Sequence, residues 1–431
     1  MGGIIRALGE FCLEIGQDQY QPNQRWMRDM LVGMAVGRSP MLSEIGRALE
    51  EEDEDGNPRR LIHTEKRLSK GLNSDRFDDE AIRTRHLEQV ARWTLKGKGE
   101  GIVVAVDYTD ISKPWANTKH GMEGVGVCWN GSDHEKGVGY PVVQIEADMG
   151  DAQVPVLIHP FSYDEKDFVE GSQANIFLAQ MKIAAPTIGP RAWWTMDRGF
   201  DNIRYFDGFD ELNLRWIVRL QHKVKNERSL FTADGRLLPI RDLAEQTERT
   251  YTLRVKAGKK RTKKKGQNFI ELQIGAMPVW LSDMKNDASP VGPQRTLISV
   301  WGFGKEPIVT LVSEALTEKE AILEAAKAYG RRWKCEEETR AMKDSRGWGV
   351  DLEDVRALKL RGIRRLAALI ALLYVFLASV RGMDGALVKK LLALVQCFGA
   401  CPPDPLYRIF RGLGELLRRA GRGRWEEEGK G

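Results

Sequence analysis

The stretch YGRRWKCEEETRAMK, Tyr329 to Lys343, decides how the rest of the chain is read. Tyr329, Arg332, Glu336 and Lys343 stand at i, i+3, i+7 and i+14. On a helix of about 3.6 residues per turn these four positions share one face. That face carries a phenol, a guanidinium, a carboxylate and an ammonium. Only the carboxylate can ligate a divalent cation; the other three donate hydrogen bonds or present charge to phosphate oxygens. A metal ligand flanked by phosphate donors is what phosphodiester chemistry requires. Charge pattern alone favours a plainer reading, a solvated and salt-bridged helix. A capping box at Thr317–Glu320 predicts where this helix starts, and no proline interrupts it before Pro402.

Two aspartates upstream bear on the choice. The apolar run Ile102–Val106 predicts a strand buried on both faces, ending in Asp107, and Arg191–Met196 predicts another, ending in Asp197. An aspartate directly after a buried strand stands at the carboxyl edge of a sheet, where α/β proteins build their sites. One such aspartate taken alone is more often a turn or a cap. Two of them, together with the charged helix face, make a coincidence harder to accept.

The spacing Y-x2-R-x3-E-x6-K resembles the signature of the DDE transposases of one large group of bacterial insertion sequences, insertion sequence family four and its relatives. Asp107-Tyr108-Thr109-Asp110 is similar to that family's D-x-T element, and Asp197-Arg198-Gly199-Phe200 to its D-R-G-F element. The resemblance implies a ribonuclease H-like catalytic core and a catalytic, metal-binding triad of Asp107, Asp197 and Glu336. It also implies two Mg²⁺ ions, with Mn²⁺ able to substitute. Tyr329, Arg332 and Lys343, joined by Arg198, would then contact DNA phosphates. The implied partners are double-stranded DNA, as terminal inverted repeats and target, and a second copy of the chain in the synaptic complex. One departure is visible. Members that pass through a DNA hairpin hold a flipped base on an aromatic residue of the β insertion, yet Pro307–Val312 has no aromatic residue. Trp301 and Trp280 are the candidates for that stacking, though core packing explains either as well.

The expected fold class is α/β: a ribonuclease H-like core with an all-β insertion, preceded by a helical DNA-binding domain and followed by a helical C-terminal region. The boundaries read as 1–96, helical; 97–221, first part of the core; 222–312, β-rich insertion; 313–385, second part of the core; and 386–431, helices with a flexible tail. In the first segment, Ser39-Pro40 predicts a helix start, Glu50–Pro58 a solvated loop, and Thr64 the start of a second helix. Lys66, Arg67 and Lys70 cluster on the outer side of that second helix and resemble a DNA-reading unit, with a plain helical bundle as the alternative. In the insertion, Phe269–Ile274 and Pro278–Leu281 read as separate short strands. Its longest loop, KAGKKRTKKK from Lys256 to Lys265, holds seven positive charges in ten residues. Lys259, Lys260, Arg261, Lys263, Lys264 and Lys265 suit contact with the phosphate backbone, against a merely solvated turn. Near the C-terminus, Tyr407–Arg419 reads as a basic, amphipathic helix.

Composition sets looser bounds. A formal net charge of +5 is compatible with nucleic acid but does not require it. Five scattered cysteines form neither a disulfide framework nor a zinc motif, which fits a reducing cytoplasm; the resemblance implies that this cytoplasm is bacterial, with the protein at the nucleoid. The N-terminal segment carries Arg6 and Glu10 and is a poor signal peptide. The apolar run Leu366–Val380 is 15 residues, short of the roughly 20 of a membrane span, and reads as a buried helix. Two other functions stay open on sequence alone: a domesticated, non-catalytic DNA-binding protein, and a structure-selective nuclease on the same fold.

Overall fold

In a computed structural model the protein is mixed α/β, with many helices and with both parallel and antiparallel strand ladders. The structure describes residues 2–52, 56–96, 101–114, 116, 121–130, 135–150, 153–169, 171–221, 227–256, 268–282, 289–341, 350–383, 385–395 and 405–427. At 95–96, 334–341, 405–407 and 422–427 only the helical backbone is described. The chain divides into two compact units. One comprises 1–100, 107–188 and 334–431; the other comprises 101–106 and 189–333.

The first unit opens with α1 (Gly2–Gly16), α2 (Gln21–Gly37), α3 (Leu42–Leu49), α4 (Leu61–Leu72) and α5 (Asp79–Lys96). Pro40 thus precedes its helix instead of starting it, and α4 begins three residues before Thr64. The strand β1 (Val103–Ser112) belongs to this unit from Asp107 onward, where β3 (Glu135–Asp148) lies next to it. On its other edge β3 pairs antiparallel with β2 (Gly126–Asn130), and it also pairs antiparallel with β4 (Gln153–Pro160). The strand β4 escapes the sequence reading because Pro155 and Pro160 break its pattern. Then follow α6 (Lys166–Val169) and α7 (Gln173–Ile188).

Much later in the chain come α11 (Leu360–Arg381), α12 (Gly385–Ala393) and α13 (Pro405–Glu427), the last kinked at Gly421. The described helix therefore runs well into the segment expected to be a flexible tail. The 22-residue α11 is long and apolar enough to cross a membrane by length and composition, yet most of it is buried within this unit. A helix apolar on every side is what a packed core helix looks like.

His86 of α5 is buried and its Nε2 lies 2.9 Å from the Pro155 carbonyl, to which it donates. Burial pulls its pKa down to about 4, against hydrogen bonds to the Pro155 and Val156 backbone. The folded state therefore resists the proton that the unfolded chain accepts near the ordinary 6.5. Stability should be level above pH 6.5 and fall as pH drops from there towards 4, by about 3 kcal/mol from this group. His86→Gln should flatten that part of the stability–pH curve, as read from denaturation midpoints at pH 7 and 4.5. Parallel curves for both proteins would rule His86 out as the source.

In the second unit, β1 from Val103 to Val106 pairs in parallel with β5 (Trp193–Met196), in the register Val103↔Trp193 to Val106↔Met196. Beside β5 lies β6 (Arg215–Arg219), again parallel. These strands are fully buried along their centres, which is why they read as continuous apolar runs. The helix α8 (Ile203–Glu211) links β5 to β6. The ladder then continues antiparallel from β6 to β12 (Ile308–Val312), β11 (Pro290–Trp301) and β10 (Phe269–Ser282). The strand β10 also pairs with β7 (Ser229–Thr232) and β9 (Tyr251–Lys256), and β7 with β8 (Leu237–Pro239). A short α9 (Ile240–Gln246) separates β8 from β9. The two short strands expected within 269–281 are one long strand, irregular in pairing between Val279 and Leu281.

The signature sequence lies on α10 (Lys319–Ala341). Ile322 N–H donates to Glu318 O, so Glu318 takes the cap position ahead of Lys319, one residue later than the expected Thr317. Two hydrogen bonds fix its place: Trp193 Nε1–H to Glu324 Oε1 at 2.9 Å, and Arg331 Nη1–H to Gly101 O at 2.7 Å.

Candidate active site

The stripe of α10 that faces the sheet is Ile322, Ala325, Ala328 and Tyr329, packed with Val103, Trp193, Ile217 and Val312. Continuing by threes and fours, that stripe reaches Arg332 and then Glu336. At Tyr329 and Arg332 the signature face is therefore the core-facing stripe turning polar, not a solvated face. Tyr329 and Arg332 are each 6% exposed, which rules out the open, wet helix that charge pattern alone favours.

Around the Tyr329 hydroxyl three charged groups converge within the second unit. Burial raises the phenol pKa; the Arg332 and Arg219 guanidiniums oppose the rise, and Asp197 adds to it. The Arg332 guanidinium carbon lies 6.0 Å from the Tyr329 ring centroid. Asp197 follows β5 and Arg219 ends the parallel β6, so both stand at the carboxyl edge of these strands. A phenol kept protonated in this way is a hydrogen-bond donor to an oxyanion and a poor nucleophile. Arg219 was not picked out from sequence, because its role depends on the register of β6.

The D-R-G-F element folds for local reasons. Asp197 Oδ1 accepts from Gly199 N–H at 2.8 Å and caps the turn Arg198–Phe200. A Cβ on residue 199 would stand 3.0 Å from that oxygen, which favours glycine. Phe200 is buried and packs on the Tyr205 ring at 4.8 Å, anchoring the turn. Asp197 itself stays partly accessible and Arg198 is exposed.

Asp107 departs from expectation. It does not end a strand; β1 continues through it to Ser112. The strand changes partners at that point: Val103–Val106 pair with β5, and the later residues neighbour β3. Asp107 Oδ1 accepts from Tyr108 N–H at 2.9 Å. Asp110, two residues beyond Tyr108, is buried.

The backbone of Glu336 is helical, and its side chain, Lys343 and the basic run Lys259, Lys260, Arg261, Lys263, Lys264 and Lys265 lie outside the described residues. Among the described residues no three His, Cys, Asp or Glu side chains gather as a metal-holding group. The carboxylates of the expected triad are hard oxygen donors, the type that Mg²⁺ and Mn²⁺ take.

On α4, Lys66 and Lys70 are exposed as expected. Arg67 is half-buried and, unlike Lys66 and Lys70, turned to partners within the fold: it pairs with Asp29 at 2.9 Å and with Glu51, both buried. Those two carboxylates need a cation, and Arg67 supplies it. Trp301 is half-buried with the Arg249 guanidinium 3.9 Å from its ring centroid, and Trp280 is half-buried opposite Phe231 on β7. A more accessible aromatic pair lies elsewhere in the second unit. Phe303, between β11 and β12, is 36% exposed, Trp333 on α10 is 42% exposed, and their ring centroids are 5.4 Å apart.

A family model described as "Transposase DDE domain" matches residues 156–376, just over half of the chain. The match includes Asp197 and Glu336 and begins after Asp107. No curated protein matches the chain. Among solved structures, the chain is similar to one titled "Cryo-EM structure of piggyBac transposase synaptic complex with hairpin DNA (SNHP)". The TM-score is 0.41 at 12% identity, covering 99% of this chain and 79% of that one.

Proposed function

The chain belongs to the transposase DDE-domain family, and from that premise we propose how its residues cut and join DNA. It is a DNA-cleaving transposase, and enzymes of this family use divalent metal ions. Our finer reading is a transposase of the insertion sequence family four type on a ribonuclease H-like core. It binds the terminal inverted repeats as a homodimer, frees the element ends and joins them to target DNA, in the bacterial cytoplasm. The domain boundaries expected from sequence go with this reading.

One observation carries it. Val106 pairs with Met196 on adjacent parallel strands, and Asp107 and Asp197 are the next residues after these two along the chain. The order of ladders supports the core assignment: β4, β3, β1 within one unit and β1, β5, β6 within the other, with β1 common to both.

In this reading Asp107, Asp197 and Glu336 would hold two Mg²⁺ ions, which would supply Lewis acidity to the phosphoryl transfer. The chain's own groups do the rest. Arg332 and Arg219 place positive charge where the pentacovalent phosphate gains negative charge. Tyr329, kept protonated, donates to a non-bridging oxygen. Water attacks phosphorus, the P–O3′ bond breaks and a 3′-hydroxyl leaves; that hydroxyl then attacks a target phosphodiester, whose own P–O3′ bond breaks to release the target 3′-hydroxyl. No covalent link to the protein forms, in keeping with a phenol raised in pKa. If a hairpin intermediate is used, Phe303 and Trp333 are better placed to stack on a flipped base than Trp301 or Trp280, because both present accessible ring surface.

The test is cleavage of labelled element-end DNA, with the ends identified as inverted repeats flanking the gene. We expect nicking with Mg²⁺ or Mn²⁺ and none in excess chelator. Tight binding without any cleavage in either metal would instead indicate a domesticated DNA-binding protein. Preference for branched over element-end DNA would indicate a structure-selective nuclease.

A further inference from the structure

Within the second unit, the turn Arg198–Phe200 is held from its far side as well as from Asp197. Asp201 closes the turn, and its side chain is 4% exposed. Both of its carboxylate oxygens are taken. Oδ1 accepts from Arg228 Nε–H at 2.9 Å, and Oδ2 accepts from the Gln221 backbone N–H at 2.9 Å. Gln221 lies two residues beyond β6, and its Nε2–H donates to Arg198 O at 2.9 Å, so it grips the same turn twice. Arg228 reaches the turn from another direction. It stands one residue before β7, and its carbonyl accepts from Ile240 N–H at the start of α9. Asp201 is thus a sealed, paired carboxylate and not a further metal ligand beside Asp197.

Stability alone does not account for an arginine at 228. Its side chain is 5% exposed, and its Nη1 is buried without a hydrogen-bond partner among the described residues. The guanidinium carbon lies 5.0 Å from the ring centroid of Phe206, which is fully buried and stacks on Trp216 of β6. Desolvation offsets most of the attraction in a buried ion pair, and apolar residues of similar volume often serve a fold as well or better. A planar guanidinium set against a ring supplies direction. Direction matters here for Asp197. Its Oδ1 accepts the Gly199 N–H, and Gly199 lies midway between Asp197 and Asp201. A shift of Asp201 therefore carries the Gly199 N–H with it, and with that N–H the Asp197 carboxylate.

We propose that Arg228 is a positioning residue: through Asp201 it fixes the turn Arg198–Phe200 and so aims the Asp197 carboxylate at a divalent metal. Arg228 touches neither metal nor DNA in this role. The proposal rests on Asp197 being a metal ligand, as read above.

The experiment compares wild type with Arg228→Met/Asp201→Asn and with Arg228→Lys. The double variant removes both charges together, so no bare charge stays buried, and asparagine keeps an acceptor for the Gln221 N–H. Its melting temperature without metal should stay close to wild type. Its Mn²⁺ affinity, read by calorimetry, should fall about tenfold, the scale typical of groups that orient a metal ligand from behind. Amide exchange of residues 198–201 should quicken while the rest of the second unit keeps its protection. Cleavage of element-end DNA should demand correspondingly more metal and recover when metal is raised. Arg228→Lys keeps the charge balance, and so the fold, but not the planar donor; its Mn²⁺ affinity should lie between the other two. Wild-type Mn²⁺ affinity in both variants would overturn the proposal. Faster exchange across the whole unit with a lower melting temperature would mean that Arg228 serves stability alone, and would overturn it too. Asp197→Asn provides the separate control: unchanged Mn²⁺ affinity there would sink the ligand reading itself, and the proposal with it.

Discussion

Asp197→Asn should lower DNA cleavage by at least about 10³-fold and leave element-end binding within about twofold. The asparagine oxygen can still accept the Gly199 N–H, so the turn Arg198–Phe200 and its Phe200 anchor stay in place. What is lost is one negative charge from the proposed metal-holding set. The metal's stabilisation of the transition state is worth several kcal/mol, and each 1.36 kcal/mol is about a factor of ten in rate. Binding survives because DNA affinity comes from cations elsewhere. Removing a carboxylate from a site that receives phosphate can even tighten it slightly. Single-turnover cleavage and anisotropy on the same preparation separate the two effects. Asp197→Ala, which also releases the cap, should be no less defective. An Asn variant that cuts within tenfold of wild type would show that Asp197 caps a turn and does no more.

How far this site was legible depends on how local each part is. Asp197 could be read because strand, aspartate and turn occupy eight consecutive residues, and the capping geometry lies within three of them. Tyr329 and Arg332 could be read as sharing a face, since helical spacing is a local property. That this face is the core-facing one was not legible: the periodicity fixes which residues align, and the packing partner fixes what they align against. Asp107 was read as a strand end because its apolar run stops there. The strand continues because a different neighbour takes over, and no feature of residues 107–112 announces that change. Arg67 shows the same limit from the other side. On a basic helix it looks like a DNA contact, whereas its partners Asp29 and Glu51 are distant in sequence and buried. Arg219, Phe303 and Trp333 gain meaning only from strand register and from a turn meeting a helix, so no motif reveals them.

Arg365→Ala should cost the fold about 3–5 kcal/mol, a large share of the stability of an ordinary protein. The residue sits on α11 among side chains that are almost all apolar, and it is 3% exposed. Its guanidinium directs its donors at the turn between α4 and α5. Nη1 donates to Leu72 O at 2.9 Å and Ser74 O at 2.8 Å; Nη2 donates to Phe77 O at 3.1 Å; Nε and Nη2 form a fork on Asp79 at 2.6 and 2.8 Å. The Phe77 ring lies 4.7 Å from the guanidinium carbon. Truncation removes the donor from the buried Leu72 and Phe77 carbonyls, and each such loss costs about 1–3 kcal/mol. The Asp79 side chain is 51% exposed and can be rehydrated, which keeps the total near the lower end. Arg365→Met tests the origin of the effect, since it restores volume but no donors, and it should be nearly as destabilised as the alanine variant. Arg365→Lys should recover only part of the loss, because an ammonium cannot span the fork and the carbonyls together. Thermal melting should show a drop of roughly 5–10 °C for the alanine variant. Early proteolysis should fall within residues 73–78, the turn that loses its donors. A methionine variant as stable as wild type would mean that packing, and not this hydrogen-bonded hub, joins α11 to the α4–α5 turn.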